Sequence, residues 1–209
     1  GATVDDCHNL GTINSVCDVL TGMGGVVGMH KLEYESIVSN CSNGDSKDKT
    51  KGLMTFNPSE GKNQMIIGGI LGYSDDYQGK LTVDGCTNYA PISTSYAQMR
   101  NVGGVVGAIG NITTKDGEKS TIELLIDGCH NYGEVTIGGA GSFTAWQRHI
   151  GGIAGALYGS EAGASGAVCS AAQKAKKGLV GVGAGHGHVC GAVYGLCAGA
   201  ACHHPAGAA

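Results

Sequence analysis

Gly24-Gly-Val-Val-Gly28 is a glycine-rich pentapeptide that recurs three more times along the 209-residue chain, with changes only at its two central residues. A second phrase, Cys-x-Asn, alternates with this Gly-Gly-x-x-Gly motif. Two motifs in a fixed order indicate one copied structural unit, which buries its apolar face by stacking on its neighbours. The repeated positions are Gly24, Gly25, Gly28, Gly68, Gly69, Gly72, Gly103, Gly104, Gly107, Gly151, Gly152, Gly155, Cys7, Cys41, Cys86, Cys129, Asn9, Asn43, Asn88 and Asn131.

The segments around the motifs have the composition of short β-strands. Residues 64–73, 79–84, 120–127 and 133–137 are rich in β-branched residues and are bounded by Gly, Asn or Asp. No helix start signal with a sustained helical period occurs in residues 1–160. We therefore predict an all-β chain, a parallel β-solenoid of about four to five coils with roughly 40 residues per coil.

Each coil is predicted to contain about three short strands with connecting corners. The first strand carries the Gly-Gly-x-x-Gly motif, the second ends in Cys-x-Asn, and a short third strand follows. The asparagines are expected to share one corner, because Asn tolerates the left-handed conformation and bonds its own backbone. Stacked in this way, their side chains form an amide ladder, which is a structural role and not a ligand site.

The cysteines are expected to be free thiols. Four of the nine fall at one repeat position. Neighbouring strands lie about 4.8 Å apart, wider than the separation of about 3.8 Å between the Cβ atoms of a disulfide. We expect an inward column in which cysteine acts as a small hydrophobic residue, with disulfides between neighbouring coils as the alternative. No CxxC pair occurs, so neither a metal site nor a cofactor is predicted.

Residues 161–209 differ from residues 1–160, because about half of them are Gly or Ala. The repeat spacing nevertheless continues, since Cys169 lies 40 residues after Cys129. We interpret this low-complexity region as a continuation of the solenoid, a fifth coil or a terminal cap, with an approximate sequence. Its His and Cys residues have no diagnostic ligand spacing.

Composition argues against two classes of partner. The net charge is -4 and there is no basic stripe, so nucleic acid is not a predicted partner. No apolar run reaches the length of about 20 residues that spans a bilayer.

The chain begins at Gly1 without a Met or a signal peptide, which indicates a mature or trimmed part of a longer protein.

The Gly-Gly-x-x-Gly and Cys-x-Asn-x-Gly phrases resemble the GLUG-type repeats of bacterial, especially gut-bacterial, cell-surface proteins. The similarity covers roughly residues 1–160, and Val or Ile follows the glycine pair where the family has Leu. The resemblance implies an extracellular or cell-surface β-solenoid of the kind used in large adhesins. Such repeats also occur beside the catalytic domains of secreted peptidases that cleave immunoglobulin A. The resemblance carries over no catalytic residue.

The chain is predicted not to be an enzyme. Parallel β-helices do host polysaccharide-active enzymes, which collect carboxylates on one face. Here Asp84 and Asp127 precede Gly-Cys at equivalent repeat positions, so we interpret them as strand-end residues. A β-helix polysaccharide-active enzyme is kept as the less favoured alternative.

A structural or adhesive role is predicted instead. A solenoid has an open strand edge at each end, and such an edge is a template for another copy. The chain starts within a Cys phrase and ends where the next one is due, so we predict a head-to-tail filament. The alternative is a non-catalytic segment of a larger secreted adhesin or surface hydrolase.

Loops are the expected sites of contact with a host glycan or surface protein. Residues 42–62 and 110–120 are charged insertions that should project from solenoid corners. Exposed aromatic rings provide affinity on such surfaces. The candidate contact residues are Tyr73, Tyr77 and Trp146.

Overall fold

The computed structural model describes residues 1–16, 22–31, 34–57, 65–74, 78–94, 101–109, 121–137, 149–157 and 168–173. Within these ranges every regular element is a β-strand and every strand pairing is parallel. The prediction of an all-β chain with parallel pairing is confirmed. The strands are β1 (Thr3–Asp5), β2 (His8–Asn9), β3 (Ile13–Ser15), β4 (Met23–Gly24), β5 (Val27–His30), β6 (Ser36–Ser39), β7 (Ser42–Asn43), β8 (Met54–Phe56), β9 (Ile66–Gly68), β10 (Leu71–Ser74), β11 (Gln78–Asp84), β12 (Thr87–Asn88), β13 (Ile92–Thr94), β14 (Asn101–Gly103), β15 (Val106–Ile109), β16 (Thr121–Asn131), β17 (Val135–Ile137), β18 (His149–Gly151), β19 (Ala154–Leu157) and β20 (Val168–Gln173).

The strands form four sheets, and the chain visits these sheets in the same order each time. Sheet 1 has the order β1-β6-β11-β16-β12-β7-β2, with β20 beside β16. Sheet 2 is β17-β13-β8-β3, sheet 3 is β18-β14-β9-β4, and sheet 4 is β19-β15-β10-β5. We define the first repeat as β1–β5, the second as β6–β10, the third as β11–β15 and the fourth as β16–β19. Each strand thus pairs with its counterparts in adjacent repeats.

The Gly-Gly-x-x-Gly motif forms a corner between two strands, whereas the sequence predicts that it lies within one strand. Gly68 ends β9 in sheet 3, and Gly72 lies in β10 of sheet 4. A Cβ atom on Gly68 would lie 2.5 Å from the backbone nitrogen of Gly107 in the next repeat. Glycine is required because two backbones approach each other closely at this corner. The corner adds a strand, so a repeat contributes to four sheets instead of having about three strands in all; sheet 1 receives two strands from each of the first three repeats and the single strand β16 from the fourth.

The described residues contain two large hydrophobic clusters and a third, small cluster of Ile66, Tyr73 and Ala108. Cluster 1 fills the space between sheets 4 and 1, and cluster 2 fills the space between sheets 2 and 3. Each fully buried aliphatic or aromatic side chain contributes about 1.5–3 kcal/mol relative to an exposed one. Cluster 1 includes Leu71, Val106, Leu81, Val83 and Ile126, and cluster 2 includes Met54, Phe56, Ile67, Ile92 and Val102.

The insertion predicted at residues 42–62 contains strands in its described part, residues 42–57, and residues 58–62 lie outside the described residues. Ser42–Asn43 is strand β7 and Met54–Phe56 is strand β8, with Met54 and Phe56 fully buried. In the other repeats, the next strand begins four residues after the asparagine of the Cys-x-Asn motif. Removing residues 45–51 would restore this spacing between Asn43 and Met54, so we define residues 45–51 as the inserted segment. The sequence analysis missed strand β8 because residues 45–51, which precede it, are rich in Lys and Asp and are typical of a loop. The second predicted insertion, 110–120, lies outside the described residues.

Candidate assembly edge and repeat-stacking columns

A ladder of asparagine side chains runs through all four repeats, as the spacing predicts. Nδ2 of Asn9 donates to Oδ1 of Asn43 at 2.8 Å, Asn43 donates to Asn88 at 2.9 Å, and Asn88 donates to Asn131 at 2.8 Å. Asn43, Asn88 and Asn131 are almost completely buried. Because an unpaired buried amide would be costly, the ladder fixes the register of each repeat on the next.

Each ladder asparagine also closes a turn in its own repeat. Nδ2 of Asn88 donates to the carbonyl of Ala90 at 2.9 Å, and Oδ1 of Asn88 accepts from the Ala90 backbone N–H at 3.3 Å.

The left-handed conformation expected for these asparagines is instead found at the residue before each cysteine. The residues concerned, with φ between 52° and 60°, are Asp6, Asn40, Gly85 and Gly128. Asp, Asn and Gly are the types that tolerate this conformation.

The two repeated motifs contact each other across the interior. A Cβ atom on Gly25 would lie 2.6 Å from Cγ of Asn43, and one on Gly69 would lie 2.5 Å from Cγ of Asn88. Gly104 lies against Asn131 in the same way. In the first three copies of the Gly-Gly-x-x-Gly motif, the second glycine therefore faces the ladder.

Three of the four repeat cysteines form the predicted inward column. Cys41, Cys86 and Cys129 are free and buried. Burial raises the pKa of the Cys41 thiol to about 11, and a hydrogen bond with Cys129 together with burial raises the pKa of Cys86. The prediction is wrong for Cys7, which is exposed because it belongs to the outermost described repeat.

The first repeat ends all four sheets. Strands β1 and β2 are the end strands of sheet 1, while β3, β4 and β5 end sheets 2, 3 and 4. Apolar side chains on this repeat are exposed, with Leu10 at 52%, Val16 at 67% and Met29 at 49%. We call the outer side of β1–β5 the first-repeat edge. Edge strands carry unpaired N–H and C=O groups and are templates for further strand pairing.

Of the aromatic residues predicted to form a surface contact, only Tyr73 lies in the described residues. Its side chain is 2% exposed and packs with Ile66 and Ala108, so its assignment to the surface is wrong. The sequence pattern does not reveal that Tyr73 is buried, because the residues packed against it, Ile66 and Ala108, come from two other strands, β9 and β15. Tyr77 and Trp146 lie outside the described residues.

An aromatic pair that the sequence analysis missed lies beside the ladder. The rings of Tyr89 and Tyr132 stack with their centroids 5.5 Å apart and their planes at 8°. Nζ of Lys49, from the inserted segment, lies 5.7 Å from the Tyr89 ring centroid. Cys-x-Asn-Tyr occurs at 86–89 and again at 129–132, and this repetition is the signal that could have predicted the pair.

Asp84 and Asp127 lie next to each other in register, on strands β11 and β16. Oδ1 of Asp127 accepts from the backbone N–H of Gly128 at 2.9 Å, which stabilises the left-handed turn that follows. This hydrogen bond agrees with a strand-end role. In the described part of the chain no group of three or more His, Cys, Asp or Glu side chains could hold a metal ion.

Strand β20 is the only described element of residues 161–209, and it pairs with β16. The spacing suggests Cys169 as the counterpart of Cys129, but Cys169 pairs with Ile126. Ala171 is opposite Cys129 and Gln173 is opposite Asn131, because the register shifts between Ile126 and Cys129.

Among the described elements, no helix is long and apolar enough to cross a membrane. Comparisons with family models, with curated proteins and with solved structures found no match for this chain. The resemblance to GLUG-type repeats therefore stays a prediction that depends on the two motifs alone.

Proposed function

We propose that this chain is an extracellular structural or adhesive repeat protein whose four repeats wind as one continuous parallel β-solenoid. Two observations support the winding. The chain visits the four sheets in the same order in each repeat, and the amide ladder joins all four repeats from Asn9 to Asn131. The extracellular location follows from the GLUG resemblance.

Copies of the chain associate head to tail into a filament in this proposal. The first-repeat edge is the observation that carries it, because all four sheets end there and Leu10, Val16 and Met29 are exposed on the same repeat. A further coil is the structure that would pair with all these edge strands at once. A contact between two different surfaces of the subunit does not close and gives a fibre.

Electron microscopy of the purified full chain, combined with light scattering over a concentration series, tests this function. Filaments with an axial repeat of one subunit are the expected result. Discrete monomers or closed rings at every concentration would contradict it. They would favour the alternative of a non-catalytic solenoid segment within a larger secreted adhesin or surface hydrolase.

Glycan adhesion is a second candidate, favoured by the Tyr89–Tyr132 pair. Tyr132 is 44% exposed, and its ring belongs to a flat aromatic stack beside the inserted segment. Aromatic rings bind sugars through their apolar faces while their polar atoms remain hydrated. Binding of the chain to a glycan array should decrease in Tyr132→Ala. Binding should persist in Tyr34→Ala, because Tyr34 is an exposed tyrosine between β5 and β6. Equal binding by both variants would contradict this role.

A further inference from the structure

We propose that Ser42, His8 and Asp6 form an acyl-transfer site on the outer face of sheet 1, with an exposed ester as its substrate. Ser42 is the nucleophile, His8 is the general base, and Asp6 is a positioning residue that orients His8. The activity goes beyond the proposed structural role, and the sequence analysis did not predict it.

The three side chains form a continuous row of hydrogen bonds across two repeats. Nδ1 of His8 lies 2.8 Å from Oγ of Ser42, and Nε2 of the same ring lies 3.1 Å from Oδ1 of Asp6. Both distances are within the reach expected between a nucleophile, its base and the group that orients the base. A Ser-His-Asp triad is recognised by this geometry and these roles, whatever the order of its members along the chain.

The carboxylate of Asp6 decides the role of each ring nitrogen. An ionised carboxylate only accepts hydrogen bonds, so neutral His8 donates its Nε2–H to Asp6 and keeps a lone pair on Nδ1. The hydroxyl of Ser42 therefore donates to Nδ1, which is the nitrogen that can take its proton. This tautomer makes His8 a base toward Ser42.

A left-handed turn brings Asp6 beside His8. The backbone of Asp6 has a φ of 54°, and the same turn precedes the cysteine of each other repeat. The corresponding residues there are Asn40, Gly85 and Gly128. Of the four described repeats, only the first therefore has a carboxylate at this position.

The site faces outward from the sheet. Ser42 is half-buried and lies between Cys41 and Asn43, which are both buried. Because successive side chains of a strand point to opposite faces, the hydroxyl of Ser42 lies on the outer face of sheet 1. The side chains of His8 and Asp6 are 51% and 80% exposed. A further coil paired with β2 would leave this face open, since strand side chains stand roughly perpendicular to the sheet.

The third and fourth repeats contain a similar pair without the acid. Thr87 and His130 hold the middle position of the Cys-x-Asn motif, and they lie opposite each other on β12 and β16. Nδ1 of His130 is buried and has no hydrogen-bond partner among the described residues, and the residue two positions earlier is Gly128. The comparison associates the hydrogen-bonded row at His8 with the carboxylate of Asp6.

The arrangement supports transfer of an acyl group from an ester. Oγ of Ser42 attacks the carbonyl carbon while Nδ1 of His8 takes the hydroxyl proton. The bond between the carbonyl carbon and the alkoxy oxygen then breaks, His8 gives its proton to the leaving alcohol, and Ser42 keeps the acyl group. Water attacks this acyl group with His8 as the base, the proton returns to Oγ of Ser42, and a carboxylic acid is released.

An ester that projects from its carrier, such as an acetyl ester, is the substrate class that fits this open site. The exposure of His8 and Asp6 allows a protruding acyl group to reach Ser42 without entering a cleft. Cleavage of a peptide bond is more demanding, because it depends on donors that stabilise the oxyanion in a site that excludes water. We therefore assign the site to esters and not to peptide bonds.

Labelling of the full chain with a fluorophosphonate probe tests the nucleophile. The probe forms a covalent bond with the oxygen of an activated serine and releases fluoride. We expect an adduct at Ser42 in the folded chain, and none at this position after denaturation or in Ser42→Ala, with mass spectrometry locating the modified residue. Absence of the adduct from the folded chain, or equal labelling of Ser42 in the folded and denatured chains, would overturn the inference.

Hydrolysis of p-nitrophenyl acetate tests the three roles. Ser42→Ala and His8→Gln should lower kcat/KM about 100-fold, because general base catalysis contributes about 10²–10⁴-fold. Asp6→Asn should lower kcat about tenfold at an unchanged KM, since an asparagine amide can donate to Nε2 and favour the wrong tautomer. A purely structural role of Asp6 would not separate kcat from KM in this way.

His130→Gln is the matched control, because His130 holds the same motif position in the fourth repeat and lacks the acid. It should leave kcat/KM unchanged, and denaturant titration checks that every variant is folded. Equal losses in His130→Gln and His8→Gln, or full hydrolysis by folded Ser42→Ala, would contradict the site. The result is independent of filament formation, since the site lies within two adjacent repeats of one chain.

Discussion

Gly69 lies directly against the side-chain amide of Asn88: a Cβ atom at position 69 would come within 2.5 Å of Asn88 Cγ. Gly69 comes from the Gly-Gly-x-x-Gly motif of the second repeat, and Asn88 comes from the Cys-x-Asn motif of the third repeat. The contact gives a physical reason why the two motifs occur together. The glycine makes room for the amide, and the amide holds the register of the repeats.

Replacing Gly69 by alanine should destabilise the protein by about 3 kcal/mol, since overpacking an interior commonly costs 1–3 kcal/mol and both backbone and amide must move here. Gly28→Ala is the control, because a Cβ atom there meets its nearest atom at 3.5 Å, an ordinary contact. The control should change the free energy of unfolding by less than about 0.5 kcal/mol. Denaturant titration measures both. Similar losses in the two variants would contradict the contact.

Asn88→Ala should be more destabilising than Asn9→Ala. Asn88 is fully buried, and its removal takes one acceptor from Nδ2 of Asn43, one donor from Oδ1 of Asn131 and two hydrogen bonds from the Ala90 backbone. We expect a loss of about 3 kcal/mol for Asn88→Ala and about 1 kcal/mol for Asn9→Ala, which is half-buried at the edge of the ladder. The free energies of unfolding from denaturant titration give the comparison. The reverse order would show that the ladder does not stabilise the interior.

Thiol reactivity should separate Cys7 from the buried column. Cys7 is exposed and should be alkylated in the folded protein, whereas Cys41, Cys86 and Cys129 should be protected. After denaturation without reductant, all four should be alkylated because they are free thiols. Mass spectrometry of the labelled peptides reads out each site. Disulfide-linked peptides among these four cysteines would contradict the arrangement.

Stability should fall at alkaline pH partly because of Cys41. Burial raises the pKa of its thiol from 9.0 to about 11, so the folded state holds the proton more tightly than the unfolded state. This contribution is fully present below about pH 9 and is lost as the pH rises through about 11. The unfolding free energy of the unmodified chain should therefore decrease more steeply over this range than that of Cys41→Ala. Parallel pH profiles would contradict the prediction.

Deleting residues 45–51 should preserve the fold. Gly52 would then follow Gly44 and take the position that Gly133 holds in the fourth repeat, two residues after the ladder asparagine. Nδ2 of Asn43 already donates to the carbonyl of Gly52 at 3.0 Å, so the ladder turn stays intact. We expect a change in the free energy of unfolding of less than about 1 kcal/mol, because surface insertions contribute little to stability. Loss of cooperative unfolding would show that the segment is part of the fold.

Local repetition made much of this architecture predictable. The recurrence of Cys-x-Asn and Gly-Gly-x-x-Gly, with β-branched residues between them, predicted strands, parallel pairing and the stacked amides. In parallel pairing, equal positions of successive repeats become neighbours. The pairings Asn43 with Asn88 and Asn88 with Asn131 follow from that rule alone.

Features that depend on contacts between different parts of a repeat were not predictable. The sequence placed Gly68 and Gly72 in one strand, Tyr73 on the surface and Cys7 in the interior, and the tertiary structure places each differently. The reason is physical. A repeat motif specifies which residues stack along the sheets, but the sharpness of a corner and the burial of a side chain depend on what lies across the interior or beyond the edge. The sequence by itself therefore determined the strand type and the register of the ladder, while the tertiary structure alone decided which residues turn, which are covered and which remain open to a partner.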